Sequence, residues 1–192
     1  MVQLILLAAG LSRRFGENKL LVPWQGQPLY QHSLTALWEL THRCADCRLL
    51  VVTRWPPVAR QARGLGLRVC WNDHSEEGIS SSLRLGLEAA PEADYYLCSV
   101  ADQPQLTAAL LDEFLTGFLS SGQPLGCVRH DGVPGNPAVF HRRFRPELLA
   151  LTGDTGGRQV LRRHAEDCYF WDGPALRDVD RPEDFSALSP AP

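Results

Sequence analysis

One lysine, Lys19, stands among eighteen arginines in this chain. It closes the stretch Leu6-Leu7-Ala8-Ala9-Gly10-Leu11-Ser12-Arg13-Arg14-Phe15-Gly16-Glu17-Asn18-Lys19, where an apolar run gives way to small residues. That order reads as a strand running through Leu7 into a phosphate-binding loop. Small side chains at Ala8, Ala9 and Gly10 let backbone N–H groups approach phosphate oxygens, and Arg13 and Lys19 neutralise them. A compact, mobile ammonium meets a triphosphate differently from a planar guanidinium. An ordinary strand-to-helix turn is the plainer alternative. The stretch is not a Walker loop and not a GxGxxG dinucleotide fingerprint.

Acidic residues supply the complementary chemistry. Asp102, in Val100-Ala101-Asp102-Gln103-Pro104, follows an apolar run and is placed for a hard divalent cation; the alternative is a turn or cap aspartate. In Asp178-Val179-Asp180-Arg181-Pro182-Glu183-Asp184-Phe185, period two puts Asp178 and Asp180 on one face of an extended segment, as metal partners for Asp102. Pro182 opens a short helix that Glu183 and Asp184 serve in its first turn. Arg158 follows a glycine pair and reads either as an acceptor-phosphate ligand or as a helix-surface arginine. Asp154 or Thr155 reads as the cap of that helix. Cys44-Ala45-Asp46-Cys47 lacks the second ligand pair that a structural zinc site has. The histidines show no metal-ligand spacing.

The elements that must position these residues follow from the apolar pattern. Strands are expected at 4–7, 49–52, 67–71 and 95–100. They alternate with helices over 29–40, after Pro56-Pro57, from 78 or 79, and from a Thr107 cap to about 119. This alternation predicts an α/β fold with a Rossmann-like, three-layer, doubly wound and mainly parallel sheet. Ligands on such a sheet bind outside the carboxyl ends of its strands, where the loop and Asp102 both fall. After about Gly122 the rhythm changes. Strands at 126–129, 138–141 and 167–171, with short helices at 146–151 and 156–164, are expected to add antiparallel strands at the sheet edge. The reading is a single domain over 1–188, with a nucleotide-binding half (1–121), an acceptor-side half (122–188) and a frayed tail at 189–192.

Composition narrows the classes. The apolar fraction of 44%, the charged fraction of 21% and the net charge of -3 describe an ordinary globular chain with no footprint for nucleic acid. No run approaches a membrane span, and the N-terminus lacks a signal-peptide pattern. The expectation is a cytoplasmic protein whose six cysteines are reduced thiols.

The Leu-Ala-Ala-Gly-Leu-Ser-Arg-Arg-Phe-Gly-x-x-Lys opening resembles the signature of nucleotidyltransferases related to the molybdenum cofactor enzymes, in particular the cytidylyltransferase branch. Further matches follow in order across nearly the whole chain: Asn72, Gly78 and Ser82-Leu83; Asp102-Gln103-Pro104; Gly135-Asn136-Pro137; Gly153-Asp154-x-Gly156-Gly157-Arg158; and Asp178 to Asp184. Phe15 stands where methionine is common, Arg181 where threonine is, and Asn136 where histidine is. The resemblance implies a fold like that of the nucleotide-diphospho-sugar transferases. It implies transfer of CMP from CTP to the terminal phosphate of a molybdopterin, with Mg²⁺ (or Mn²⁺) and release of pyrophosphate. Lys19, Arg13 and Asp102 would be catalytic. Leu7, Ala8, Ala9, Gly10, Asn72, Gly78 and Ser82 would hold the nucleotide together with Arg13 and Lys19. Asn136 and Arg158 would meet the acceptor. The alternatives are GTP as donor, a sugar phosphate as acceptor, and a non-catalytic nucleotide-binding partner of a molybdenum enzyme. A molybdenum-enzyme apoprotein or its chaperone is the implied recipient.

Overall fold

The computed structural model describes residues 1–13 and 15–188; the tail expected at 189–192 lies outside them. In chain order the strands and helices are β1 (Val2–Ala8), β2 (Pro23–Trp24), β3 (Gln27–Pro28), α1 (Leu29–Arg43), β4 (Cys47–Thr53), α2 (Pro56–Gly64), β5 (Arg68–Trp71), α3 (Ile79–Glu88) and β6 (Tyr95–Val100). They continue with α4 (Ala108–Ser121), β7 (Leu125–His130), β8 (Val133–His141), α5 (Arg145–Leu149), α6 (Arg158–Arg163) and β9 (Cys168–Asp172). Strands β2 and β3 form a two-stranded hairpin of their own. The remaining seven form one sheet in the order β5-β4-β1-β6-β8-β7-β9.

Strand β1 is nearly all apolar because it is covered on both faces. Leu4 and Leu6 point to one side, among Leu34 and Leu37 of α1, Val58 and Ala62 of α2, and Phe114 and Phe118 of α4. Ile5 points to the other, among Leu83 and Leu87 of α3, Leu148 of α5, and Val160 and Leu161 of α6. Three layers result. Thr107 caps α4 as its sequence predicts, accepting a hydrogen bond from Leu110 N at 3.3 Å.

The second half extends the sheet beyond β6, the edge strand of the first half, as expected, but only one of its three strands reverses direction. Strand β8 alone runs antiparallel to its neighbours, and it sits inside the sheet between β6 and β7. Strand β9 pairs parallel with β7 at the edge. Val139 and Phe140 of β8 are both fully buried, on opposite faces, so each core runs through this strand. Sequence periodicity shows that such a segment is a strand but carries no information on which neighbour it joins. Helix α6 begins at Arg158 with Gly157 at its cap position and no side-chain cap, so the cap expected from Asp154 or Thr155 is not made. Among the described residues, no helix is long and apolar enough to cross a membrane.

Candidate active site

Strands β1 and β6 lie side by side and parallel, and their carboxyl ends bring Ala9, Gly10 and Asp102 to one edge of the sheet. The loop that follows β1 is pinned at several points. Thr53 donates to the Ala8 carbonyl at 2.8 Å, and the Trp55 indole donates to the Gly10 carbonyl at 3.2 Å. Ser12 adopts a positive φ, and its Oγ accepts a hydrogen bond from Lys19 N at 3.2 Å. Asn18 caps the 3-10 turn Lys19–Leu21 by accepting from Leu20 N. These contacts bring Lys19, nine positions after Gly10, to face the same cleft.

Lys19 is buried, 8% exposed, a placement that a lone ammonium does not tolerate without partners. Its Nζ donates to Asp102 Oδ2 at 2.6 Å and to Asp180 Oδ1 at 3.1 Å. Burial works against its charge, but Asp102 and Asp180 outweigh that and raise its pKa above the ordinary lysine value. Asp178 and Asp180 arrive from the extended segment before the 3-10 helix Pro182–Ala187, which is tied to Asp102 by Val179 N donating to the Asp102 carbonyl at 3.0 Å. Asp184 serves that helix, as its position predicts: its Oδ2 accepts from Asp180 N and Arg181 N, each at 2.7 Å.

Gln103 is a participant that sequence reading leaves unassigned. It is 3% exposed, and its Nε2 donates to Asp178 Oδ1 at 2.8 Å and to the Leu176 carbonyl, while its main-chain carbonyl accepts from Ser33 Oγ. Its position directly after Asp102 is the only signal the sequence offers. Asp178 keeps water access at the cleft wall. Even so, partial burial there, followed by the Asp102 charge, pushes its pKa up to about 6.

A cavity of about 620 Å³ joins these parts; Arg13, Lys19, Ser82, Asp102, Asp178 and Asp180 all line it. A second cavity of about 520 Å³ adjoins it, with Asn136 in its wall. Leu7, Ile79, Val100, Asp154 and Arg158 line both. Gly78 is what lets the two halves meet. Its φ is +97°, and a Cβ there would collide with the backbone of Gly153 and Asp154. The Ser80 N–H bonds the Gly153 carbonyl at 3.2 Å across the same contact.

Two sequence-predicted nucleotide residues lie behind the cleft rather than in its lining. Ala8 is turned into the core. Asn72 is fully buried: its Nδ2 donates to Ser81 Oγ and Ser82 Oγ, and its Oδ1 accepts from His74 N. Its influence on a ligand runs through the serine hydroxyls it holds. The six cysteines are free, and burial pushes the Cys47 thiol far above its usual range, as expected of a core residue and not of a metal ligand.

Among the described residues no three His, Cys, Asp or Glu side chains form a ready-made metal cage. The donor set still suits a hard cation. Asp102 Oδ1 is buried without a hydrogen-bond partner, next to carboxylates of Asp178 and Asp180 in the same lining. Mg²⁺ is commonly held by one or two carboxylates together with substrate phosphates, which needs no complete cage.

Residues 4–168 match the model of the MobA-like NTP transferase domain. The purine catabolism protein PucB of Bacillus subtilis is 28% identical over 96% of this chain and 94% of its own length. A probable molybdenum cofactor guanylyltransferase of Bacillus licheniformis is 30% identical over 75% of this chain and 70% of its own. The molybdenum cofactor cytidylyltransferase of Escherichia coli is 23% identical over 96% and 93%. Among solved structures, Rv0371c of Mycobacterium tuberculosis in complex with manganese superposes with a TM-score of 0.72 at 23% identity, covering 97% of both chains. The fold is that of the nucleotide-diphospho-sugar transferases, as the sequence leads one to expect.

Proposed function

This chain belongs to the MobA-like NTP transferase family and is a nucleotidyltransferase, and from that premise we propose that it transfers CMP from CTP to the terminal phosphate of a molybdopterin-type acceptor. The observation that carries the reading is the pair of adjoining cavities. One holds Arg13, Lys19 and four aspartates, the other holds Asn136, and Arg158 lines both.

In this mechanism an acceptor phosphate oxygen attacks the α-phosphorus of the nucleotide. The new P–O bond forms as the bond to the β-phosphate bridging oxygen breaks, and pyrophosphate leaves with that electron pair. The acceptor phosphate is already ionised near neutrality, so no side chain need act as a base. The residues position groups and offset charge. Backbone N–H groups of Ala9 and Gly10 face the triphosphate, Arg13 and Lys19 offset charge growing on pyrophosphate, and Arg158 steadies the incoming phosphate. Asp102, with Asp178 or Asp180, would hold a divalent cation, which supplies positive charge against the non-bridging phosphate oxygens. Lys19 then has to leave at least part of its bond to Asp102 and turn to phosphate.

The methyl of Ala9, in the cleft lining, narrows the base side where glycine would leave more room, which supports cytosine over guanine by a modest margin. GTP is the second reading, favoured by the 30% identical relative named as a probable guanylyltransferase. Pyrophosphate release measured with CTP, GTP, ATP and UTP, each with Mg²⁺ and molybdopterin, separates the two. CTP is expected to give the highest kcat/KM. A clear GTP preference sinks the cytidylyl assignment, and tight CTP binding with no pyrophosphate released favours a non-catalytic nucleotide-binding partner instead.

A further inference from the structure

The second cavity carries two cations one helical turn apart. Arg158 and Arg162 both line it, and residues four apart share a helix face with a rise of about 6 Å between them. Neither guanidinium group has a hydrogen bond or ion pair among the described residues. Their neighbours differ in this. Arg163 of the same helix is held by Glu147 at 2.8 Å, Arg143 by Asp167 at 2.9 Å and Arg129 by Asp172 at 2.7 Å. Among the described residues, Asp154 is the one carboxylate in the cavity wall, against two guanidinium groups. Leu83, Ala138 and Phe140 supply an apolar surface in the same wall. Arg158 also lines the first cavity, but Arg162 does not. The two arginines therefore mark two anion positions at different distances from the cleft, joined by an apolar surface.

We propose that Arg162 is a specificity-determining residue, selecting acceptors that bear a second anionic group about 6 Å, one helical turn, beyond the phosphate that Arg158 meets. The inference rests on the transfer reading given above, with the attacking phosphate at the boundary between the cavities. An acceptor with one phosphate and a neutral remainder would satisfy Arg158 alone. A doubly anionic acceptor engages both guanidinium groups and lays its body along the apolar wall. Selection of this kind acts on acceptor affinity and leaves the nucleotide untouched.

The test uses calorimetry on the full chain with two small probes, glycerol 3-phosphate and 3-phosphoglycerate, which differ by a carboxylate beyond the phosphate. The wild-type protein is expected to bind 3-phosphoglycerate about fivefold to tenfold more tightly, the scale of one partly exposed charge-assisted contact. Arg162→Gln removes most of that preference, leaves glycerol 3-phosphate and CTP affinity unchanged, and Arg162→Lys restores part of it. Arg158→Gln weakens both probes. Equal affinities in the wild type, a preference that survives Arg162→Gln, or no binding of either probe overturns the proposal. Failure of the transfer reading would look different: two-anion selection intact, with no pyrophosphate released.

Discussion

Lys19 sits where a metal ion would compete with it. Its ammonium holds Asp102 Oδ2 at 2.6 Å and Asp180 Oδ1 at 3.1 Å, so a divalent cation arriving without nucleotide must displace a buried charge from its partners. With nucleotide, the phosphates give the ammonium somewhere to go. Lys19→Ala should therefore split two properties. Turnover is expected to fall by about 100-fold to 1000-fold, the usual scale for losing one preorganised charge at a reacting phosphate. Mn²⁺ binding to the nucleotide-free protein should become several-fold tighter, because Asp102 and Asp180 then face the cleft without their cation. Titration followed by electron paramagnetic resonance reads the second effect directly. Unchanged or weaker Mn²⁺ affinity would mean that Lys19 does not guard those carboxylates. The sequence made Lys19, Asp102 and Asp180 legible as candidates because each sits beside a recognisable strand end or helix start. It left their mutual contact illegible, since 83 and 161 residues of separation carry no distance information. Asn72 shows the converse: a motif residue whose amide turns out to be spent on Ser81 and Ser82.

At the scale of elements, the cleft depends on how closely the start of α3 abuts the loop before α6. Gly78 permits this twice over, through a positive φ and through the absence of a Cβ facing Gly153 and Asp154. Gly78→Ala is expected to cost about 2–4 kcal/mol, from the strained φ together with the backbone shift. For a chain of this size that lowers the melting temperature by about 5–15 °C. The same shift moves Ser82 and Asp154, so KM for nucleotide should rise in whatever protein remains folded; a normal melt would show that the contact yields easily. Helices α5 and α6 are tied together by Glu147, which accepts from Arg163 at 2.8 Å and pairs with His164 at 2.9 Å. Burial works against the Glu147 charge, but hydrogen bonds from Arg163 and His164 outweigh it and hold its pKa below the usual carboxylate range. A depressed folded-state pKa contributes stability that is present above the unfolded value and is lost as pH falls through the folded one. Thermal melts of Glu147→Gln should thus fall below wild type at neutral pH, and the gap should close as the pH drops beneath about 4. A gap that persists in acid would mean that packing, not charge, sets the contribution. Element types were largely legible from periodicity: β1, β4, β6 and α4 appear where the apolar pattern puts them. The helix cap near Asp154 was not, because Gly156-Gly157 can start a helix without a side-chain cap.

For the molecule as a whole, the docking of β8 beside β6 decides whether the two halves can separate. The second half joins at that one edge, and backbone pairing alone would let it peel away, leaving the first half's core intact. Here β8 is paired to β6 on one side and to β7 on the other, and β6 in turn pairs with β1. Val139 joins the core that holds Leu4 and Leu6, and Phe140 joins the core that holds Ile5. Removing β8 would strip two fully buried side chains from two cores and leave the polar edge of a central, apolar strand unpaired, which costs stability and invites aggregation. The active-site candidates straddle the same seam, with Lys19 and Asp102 on one side and Asp154, Arg158, Asp178 and Asp180 on the other. We therefore expect residues 1–188 to unfold as one cooperative unit. Native-state hydrogen exchange in sub-denaturing urea should give slow amides of β1, β6, β7 and β8 the same opening free energy within about 1 kcal/mol. A fragment ending at residue 121 should be unfolded or aggregated, and unable to bind CTP. If instead β7, β8 and β9 open together at a free energy several kcal/mol lower than β1, the acceptor side is a separable unit, and the cleft would be a seam that opens in the native state.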